Sequence, residues 1–292
     1  MPVVFVLIWS TGFIVAKFGL PYAPPLTFLA LRYFLSIICF LIWITLAKAS
    51  WPRGRHQWLH LGVTGILMHA AYLGGVWVAV KAGMGSGLVA LIVGLQPVLT
   101  ALWVSMAASS AAGQGRPQVT SRQWIGLAFG LGGLLLVVSR KFGSGTEVTM
   151  LTLAATVIAL FSITAGTLYQ KRFVSPTDVR SANAIQLCAA LLVTLPLTFF
   201  ESGVITWNSH VVGAMAWSVL VLTLGGSSLL YLLIQRGAAT AVTSLLYLVP
   251  PTTALMAWLL FDELITTSTI VGTALTAIGV SLVVRAAKPK SP

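Results

Sequence analysis

Few side chains in this sequence could do chemistry. His69 and Tyr72 stand three apart, so on a helix they share a face. An imidazole beside a phenol can hydrogen-bond an amino or carboxyl group, and the same pair can equally serve as glue between helices. Lys17 and Arg32 are the two cations set inside apolar stretches. Arg32 lies eight residues past Pro24, about 12 Å along a helix. Such a cation either snorkels to water along its aliphatic stem or attracts the carboxylate of a bound solute. The acidic residues are only five, Glu147, Asp178, Glu201, Asp262 and Glu263, all at the ends of apolar stretches or between them. His56 and His60 are four apart with no third ligand near, so no metal site is expected. GMGSGL fails the dinucleotide pattern because position 88 is Leu, and there is no phosphate-loop lysine motif. Cys39 and Cys188 are isolated in apolar segments and make no disulfide framework. No cofactor is implied, and a lipid-modifying enzyme would want more acid than this chain has.

The elements that must hold these groups are membrane helices. The chain is 58% hydrophobic and 8% charged, with a mean hydropathy of +0.96. A soluble domain carries about 25% charged residues. Each helical span needs ~20 apolar residues. Ten fit, at about 3–19, 24–47, 57–81, 84–107, 122–139, 149–170, 179–200, 210–235, 238–260 and 267–285. Lipid-facing barrel strands would alternate apolar and polar residues, and these stretches do not. Met1–Leu20 lacks the basic n-region of a cleavable signal peptide. With the N-terminus inside, twelve loop and tail Lys and Arg fall on the cytoplasmic side and three, Lys81, Arg140 and Lys141, outside. That bias places both termini in the cytoplasm. It also reads the net charge of +12 as loop charge and not as a nucleic-acid surface.

The apolar stretch from Gly237 to Glu263, interrupted by Pro250 and Pro251, has an earlier echo. Shifted by 154 positions, Pro251 falls on Pro97, Gly237 on Gly83, Leu245 on Leu91, Gln186 on Arg32 and Tyr231 on Trp77. The last helices match at 146, Gly272 on Gly126 and Gly279 on Gly133. Two five-helix units follow, residues 1–141 and 148–287. Five is odd, so the second enters the membrane from the opposite side, as an inverted repeat around a central cavity.

The first-helix WSTGFIVAKFG, the P-x-x-F-x-x-x-R of Pro25 to Arg32 and the fourth-helix proline carry a resemblance. So do Gly237 through Pro251, Asp262–Glu263 and the final glycine pattern from Ile270 to Val280. The chain resembles the EamA family of the drug/metabolite transporter superfamily over essentially its whole length, and within it the YddG-type exporters of aromatic and other amino acids. One departure stands out: the acid often found after helix four is replaced by SMAASSAAGQG. The resemblance implies an all-α integral membrane protein that exports metabolites across a bacterial inner membrane. It also implies a cavity lined by helices one, three, four, six, eight and nine.

On that basis the expected solute-binding residues are Trp9, His69, Tyr72, Trp77, Gln96, Ser162, Tyr169, Tyr231, Ser244 and Tyr247. Lys17 and Arg32 are the candidate carboxylate partners. For any one aromatic residue, simple packing fits as well. Pro97, Pro250 and Pro251, with the pairs Gly74–Gly75 and Gly225–Gly226, are either hinges or the static bends of curved helices. Gly126 and Gly130 permit close helix approach, and a homodimer seam there is one reading beside a monomer. The expected partners are a small-molecule solute and the bilayer. The expected function is facilitated export of aromatic or neutral amino acids by alternating access. A phosphorylated-metabolite or nucleotide-sugar antiporter is the alternative, and a membrane-embedded enzyme the more distant one.

Overall fold

The computed structural model describes residues 2–111, 121–141, 147–235, 248–263 and 265–286, and within them every regular element is helical. The first five helices are α1 (Pro2–Gly19), α2 (Pro25–Leu46), α3 (Arg55–Lys81), α4 (Ser86–Val93) and α5 (Gln96–Ala111). Then come α6 (Ser121–Lys141), α7 (Met150–Phe173), α8 (Val179–Thr198), α9 (Ser209–Gln235), α10 (Val249–Phe261) and α11 (Thr267–Ala286). Among the described residues, seven helical stretches are long and apolar enough to cross a bilayer, one of them, Ser86–Trp103, joining α4 to α5. Three shorter apolar helices are Trp124–Ser139, Val249–Phe261 and Thr267–Leu282. Large apolar side chains such as Leu46, Phe161, Leu192 and Phe199 face outward. This chain is a multi-pass membrane protein.

Helix starts are fixed by local chemistry. Pro25 opens α2 at the position where a missing N–H costs nothing. The next two amides, of Leu26 and Thr27, donate to the Glu201 carboxylate at 2.8 and 2.7 Å. Thr149 and Thr152 form a reciprocal capping box on α7. Asp178 caps α8, and hydrogen bonds from Arg180 hold its carboxyl below the usual carboxylate range. Asn208 caps α9 by accepting from the Val211 amide at 2.9 Å.

Pro97 does not kink a continuous helix. The chain turns at Gly94–Leu95, and Pro97 lies in the first turn of α5. Pro250 and Pro251 likewise lie in the first turn of α10. The two proline segments touch: a Cβ on Gly94 would sit 2.6 Å from Pro250 Cγ.

Helices α6 and α11 run antiparallel through their glycines. Gly133 lies against Gly272 and Thr276, and Gly279 against Gly126 and Gly130, whose amide nitrogen is 2.6 Å from an added Cβ. The Gly126-x-x-x-Gly130 face considered as a seam between molecules is therefore occupied within the chain.

Two helices carry wide π-type turns, Ile66–Ala71 in α3 and Ser218–Ser227 in α9. At the offset of 154 the first falls on 220–225, inside the second. Such turns leave carbonyls that other groups must satisfy. Tyr33 donates its hydroxyl to the His69 carbonyl at 2.8 Å, and Thr223 donates to the Ser218 carbonyl at 2.8 Å.

Candidate functional site

A central cavity lies between α1, α2, α3, α7, α8 and α9. Its volume is only about 50 Å³. It is a narrow slot. Its apolar walls are Trp9 and Phe13 from α1, Met68, Leu73, Val76 and Trp77 from α3, Ile163 from α7, and Leu222 and Leu230 from α9. Its polar groups are Arg32, His69, Tyr72, Gln170, Asn183, Gln186, Ser227 and Tyr231.

Helical spacing explains which side chains meet. Trp9, Gly12 and Phe13 fall on one stripe of α1; His69, Tyr72, Val76 and Leu73 fall on one stripe of α3. The indole of Trp9 and the ring of Tyr72 are nearly parallel, 5° apart, with centroids at 6.5 Å. Trp77 stacks on Phe28 at 4.6 Å. The backbone of Gln186 is brought in by Gly65: a Cβ there would lie 2.5 Å from Gln186 Cα. Only glycine lets α3 and α8 approach so closely, and that approach sets Gln186 in the cavity wall.

Arg32 is 4% exposed. It does not snorkel. Its Nε donates to Thr223 Oγ1 at 3.0 Å, and among the described residues no carboxylate pairs with it. The Gln186 side chain lies against the His69 ring, and its Nε2 has no acceptor among the described residues. Gln170 Nε2 is likewise buried and unpartnered among the described residues. A buried charge without a counter-ion costs several kcal/mol, and an unmet buried donor ~1–3 kcal/mol. The cavity is thus built with donors waiting for an acceptor.

At the 154 offset the lining falls into pairs: Trp9 with Ile163, Arg32 with Gln186, Met68 with Leu222, Leu73 with Ser227, Val76 with Leu230 and Trp77 with Tyr231. The contacts pair by position as well: Arg32 meets Thr223, and its counterpart Gln186 meets His69, which falls on Thr223.

Of the expected residues, the cavity brings together Trp9, His69, Tyr72, Trp77, Tyr231 and Arg32. The others lie elsewhere. Lys17 is engaged outside the lining, its Nζ 2.6 Å from Glu263 Oε1, which also accepts from the Ser86 amide at 3.1 Å. Gln96 donates to Thr167 Oγ1 at 3.3 Å and ties α5 to α7. Tyr169 meets His60 Nδ1 at 2.8 Å and packs on Phe173, away from the cavity. Ser162 is half-buried and not part of the lining. Ser244 and Tyr247 lie outside the described residues. Gln170 and Asn183 were missed. Their signal was position: Gln170 is seven residues past Ile163, and Asn183 three before Gln186. Among the described residues no cluster of His, Cys, Asp or Glu could hold a metal.

Known proteins place this arrangement. The chain is 26% identical over 273 residues to a protein of Escherichia coli (strain K12) named "Probable amino-acid metabolite efflux pump", covering 89% of this chain and 86% of that one. It is 23% identical over 284 residues to a protein of the same name from Salmonella typhimurium (strain LT2), covering 94% and 90%. A solved crystal structure superposes with a TM-score of 0.69 at 16% identity, over 97% of this chain and 95% of that one, and so shares the fold. The two named relatives carry the name of a pump and not of an enzyme. The EamA-like transporter family matches residues 2–139 and again residues 150–285, so the chain, a membrane transporter, belongs to that family.

Proposed function

We propose that this transporter exports neutral and aromatic amino acids or their close metabolites across a bacterial inner membrane. The observation that carries the reading is a buried, carboxylate-free Arg32 in a slot walled by Trp9, Tyr72 and Trp77. The guanidinium takes the solute carboxylate, and the rings take the apolar body. One cation in an apolar slot suits a carboxylate better than a phosphate dianion, which wants several fixed cations. The name of the two enterobacterial relatives supports the same solute class.

The chain spans the bilayer ten times, as two inverted five-helix units with both termini in the cytoplasm. The twelve-to-three charge bias supports the orientation. The antiparallel glycine contacts of α6 and α11, the paired π turns and the paired lining support the repeat. The turn at Gly94–Leu95 before Pro97, and the pair Pro250 and Pro251, serve as the hinges between outward- and inward-open forms. No acidic residue lines the slot, so transport runs down the solute gradient without proton coupling.

The test is flux into proteoliposomes. Labelled phenylalanine, methionine or threonine should move without an imposed pH gradient, at a rate above that of empty vesicles. Exchange of sugar phosphates with no movement of any amino acid would replace this reading by the antiporter.

A further inference from the structure

Resting on that reading, we infer that the slot selects cargo by net charge: its preferred solute is an organic monocarboxylate whose amine is acylated or absent, ahead of the free zwitterion. Each of the five acidic side chains stands outside the slot. Glu263 pairs with Lys17, Asp178 with Arg180, and Glu201 with the amides opening α2. Asp262 ends α10 with an exposed side chain, and Glu147 stands just before α7. None lines the slot. Residues 236–247 contain no Asp or Glu, so they add none.

Among the described residues the slot therefore offers one fixed positive charge and two idle amide donors, Gln170 Nε2 and Gln186 Nε2. A carboxylate can pair with the charge and accept from such donors. An α-ammonium does neither. It leaves water for a site without a counter-ion, and it lies on the order of 6 Å from the guanidinium that holds its own carboxylate. At an effective dielectric of about 20, two like charges at that distance repel by more than a tenfold difference in binding. Aromatic faces return part of this, which is why the zwitterion remains a solute and not an excluded one. Acylating the amine removes the repulsion and keeps the carboxylate.

Three probes of one side chain separate the cases: N-acetylphenylalanine, phenylalanine and phenylalaninamide, at neutral pH in proteoliposomes with empty vesicles as the blank. The expected order is N-acetylphenylalanine roughly tenfold faster than phenylalanine, with phenylalaninamide at the blank. In Arg32→Gln the ratio of the first two should fall towards one. Quenching of tryptophan fluorescence in the wild-type protein supplies a measurement that needs no variant, and N-acetylphenylalanine should displace phenylalanine at roughly tenfold lower concentration. If phenylalanine moves as fast as its acetylated form, or binds as tightly, charge selection is refuted while the exporter stands. If no probe moves or binds, both fall.

Discussion

Replacing Gly65 by alanine adds one methyl group where α3 meets the backbone of Gln186. The new Cβ would lie 2.5 Å from Gln186 Cα and closer still to its carbonyl oxygen, against an ordinary contact beginning at 3.4 Å, so α8 must retreat by at least about 0.9 Å. Overpacking of this kind costs ~1–3 kcal/mol. The substitution also gains up to ~1 kcal/mol of helix propensity, which blurs a single measurement. Gly62→Ala removes that ambiguity. It lies one turn earlier on the same helix and faces the same neighbour, but its Cβ would meet Ala189 Cβ at 3.7 Å, an ordinary contact. Both variants gain the same propensity, and only one must push α8 away. In detergent, the apparent melting temperature of Gly65→Ala should fall below that of Gly62→Ala by roughly 5 °C, taking ~2–4 °C per kcal/mol. Flux should drop in Gly65→Ala alone, since Gln186 moves with its backbone. Equal melting temperatures and equal flux would show that the close approach of α3 and α8 neither stabilises the protein nor sets the cavity wall.

Other substitutions follow from the same contacts. Gly279→Leu, aimed at the backbone of Gly126 and Gly130, should lower folded yield and melting temperature, whereas Gly132→Leu, with nothing within 4 Å, should do neither. Glu263→Gln weakens a half-buried ion pair, and thermal scans should register roughly 1 kcal/mol or less; its solute flux should stay independent of an imposed pH gradient, and a strict gradient requirement in the wild type that disappears in this variant would establish proton coupling. Trp9→Ala opens the slot opposite Tyr72, and competition assays should show weaker binding of aromatic solutes than of small ones. Single cysteines at Arg53 and Lys141 should react with a membrane-impermeant reagent from opposite sides, and reaction from one side would overturn the topology.

The membrane-spanning class and the helix-only architecture were legible in the sequence, because each rests on hydropathy. The 154 offset matches Arg32 with Gln186 and Trp77 with Tyr231, and all four residues line the cavity. Site residues were legible only to within a helix face. On α7 the spacing of seven was right and its phase was off by one: Ser162 and Tyr169 were chosen where Ile163 and Gln170 face the cavity. One residue is about 100° of rotation, and an apolar span shows no polar side to set the phase. Lys17 was ambiguous for another reason. Its partner, Glu263, is 246 positions away, and composition alone does not pair residues so distant. The π turns had no signal beyond nearby glycines, since they follow from tertiary demand at His69 and Thr223.

Arg32 is the one buried charge among the described residues, and it sits inside an electric field. A rearrangement that carried its charge fully across the membrane would exchange about 2.3 kcal/mol with every 100 mV of potential. When a monoanion rides on the guanidinium, the pair is neutral and the same movement draws no current. The voltage-sensitive half of the cycle is then the return of the empty carrier, so membrane potential governs how fast the protein resets and leaves the loaded step untouched.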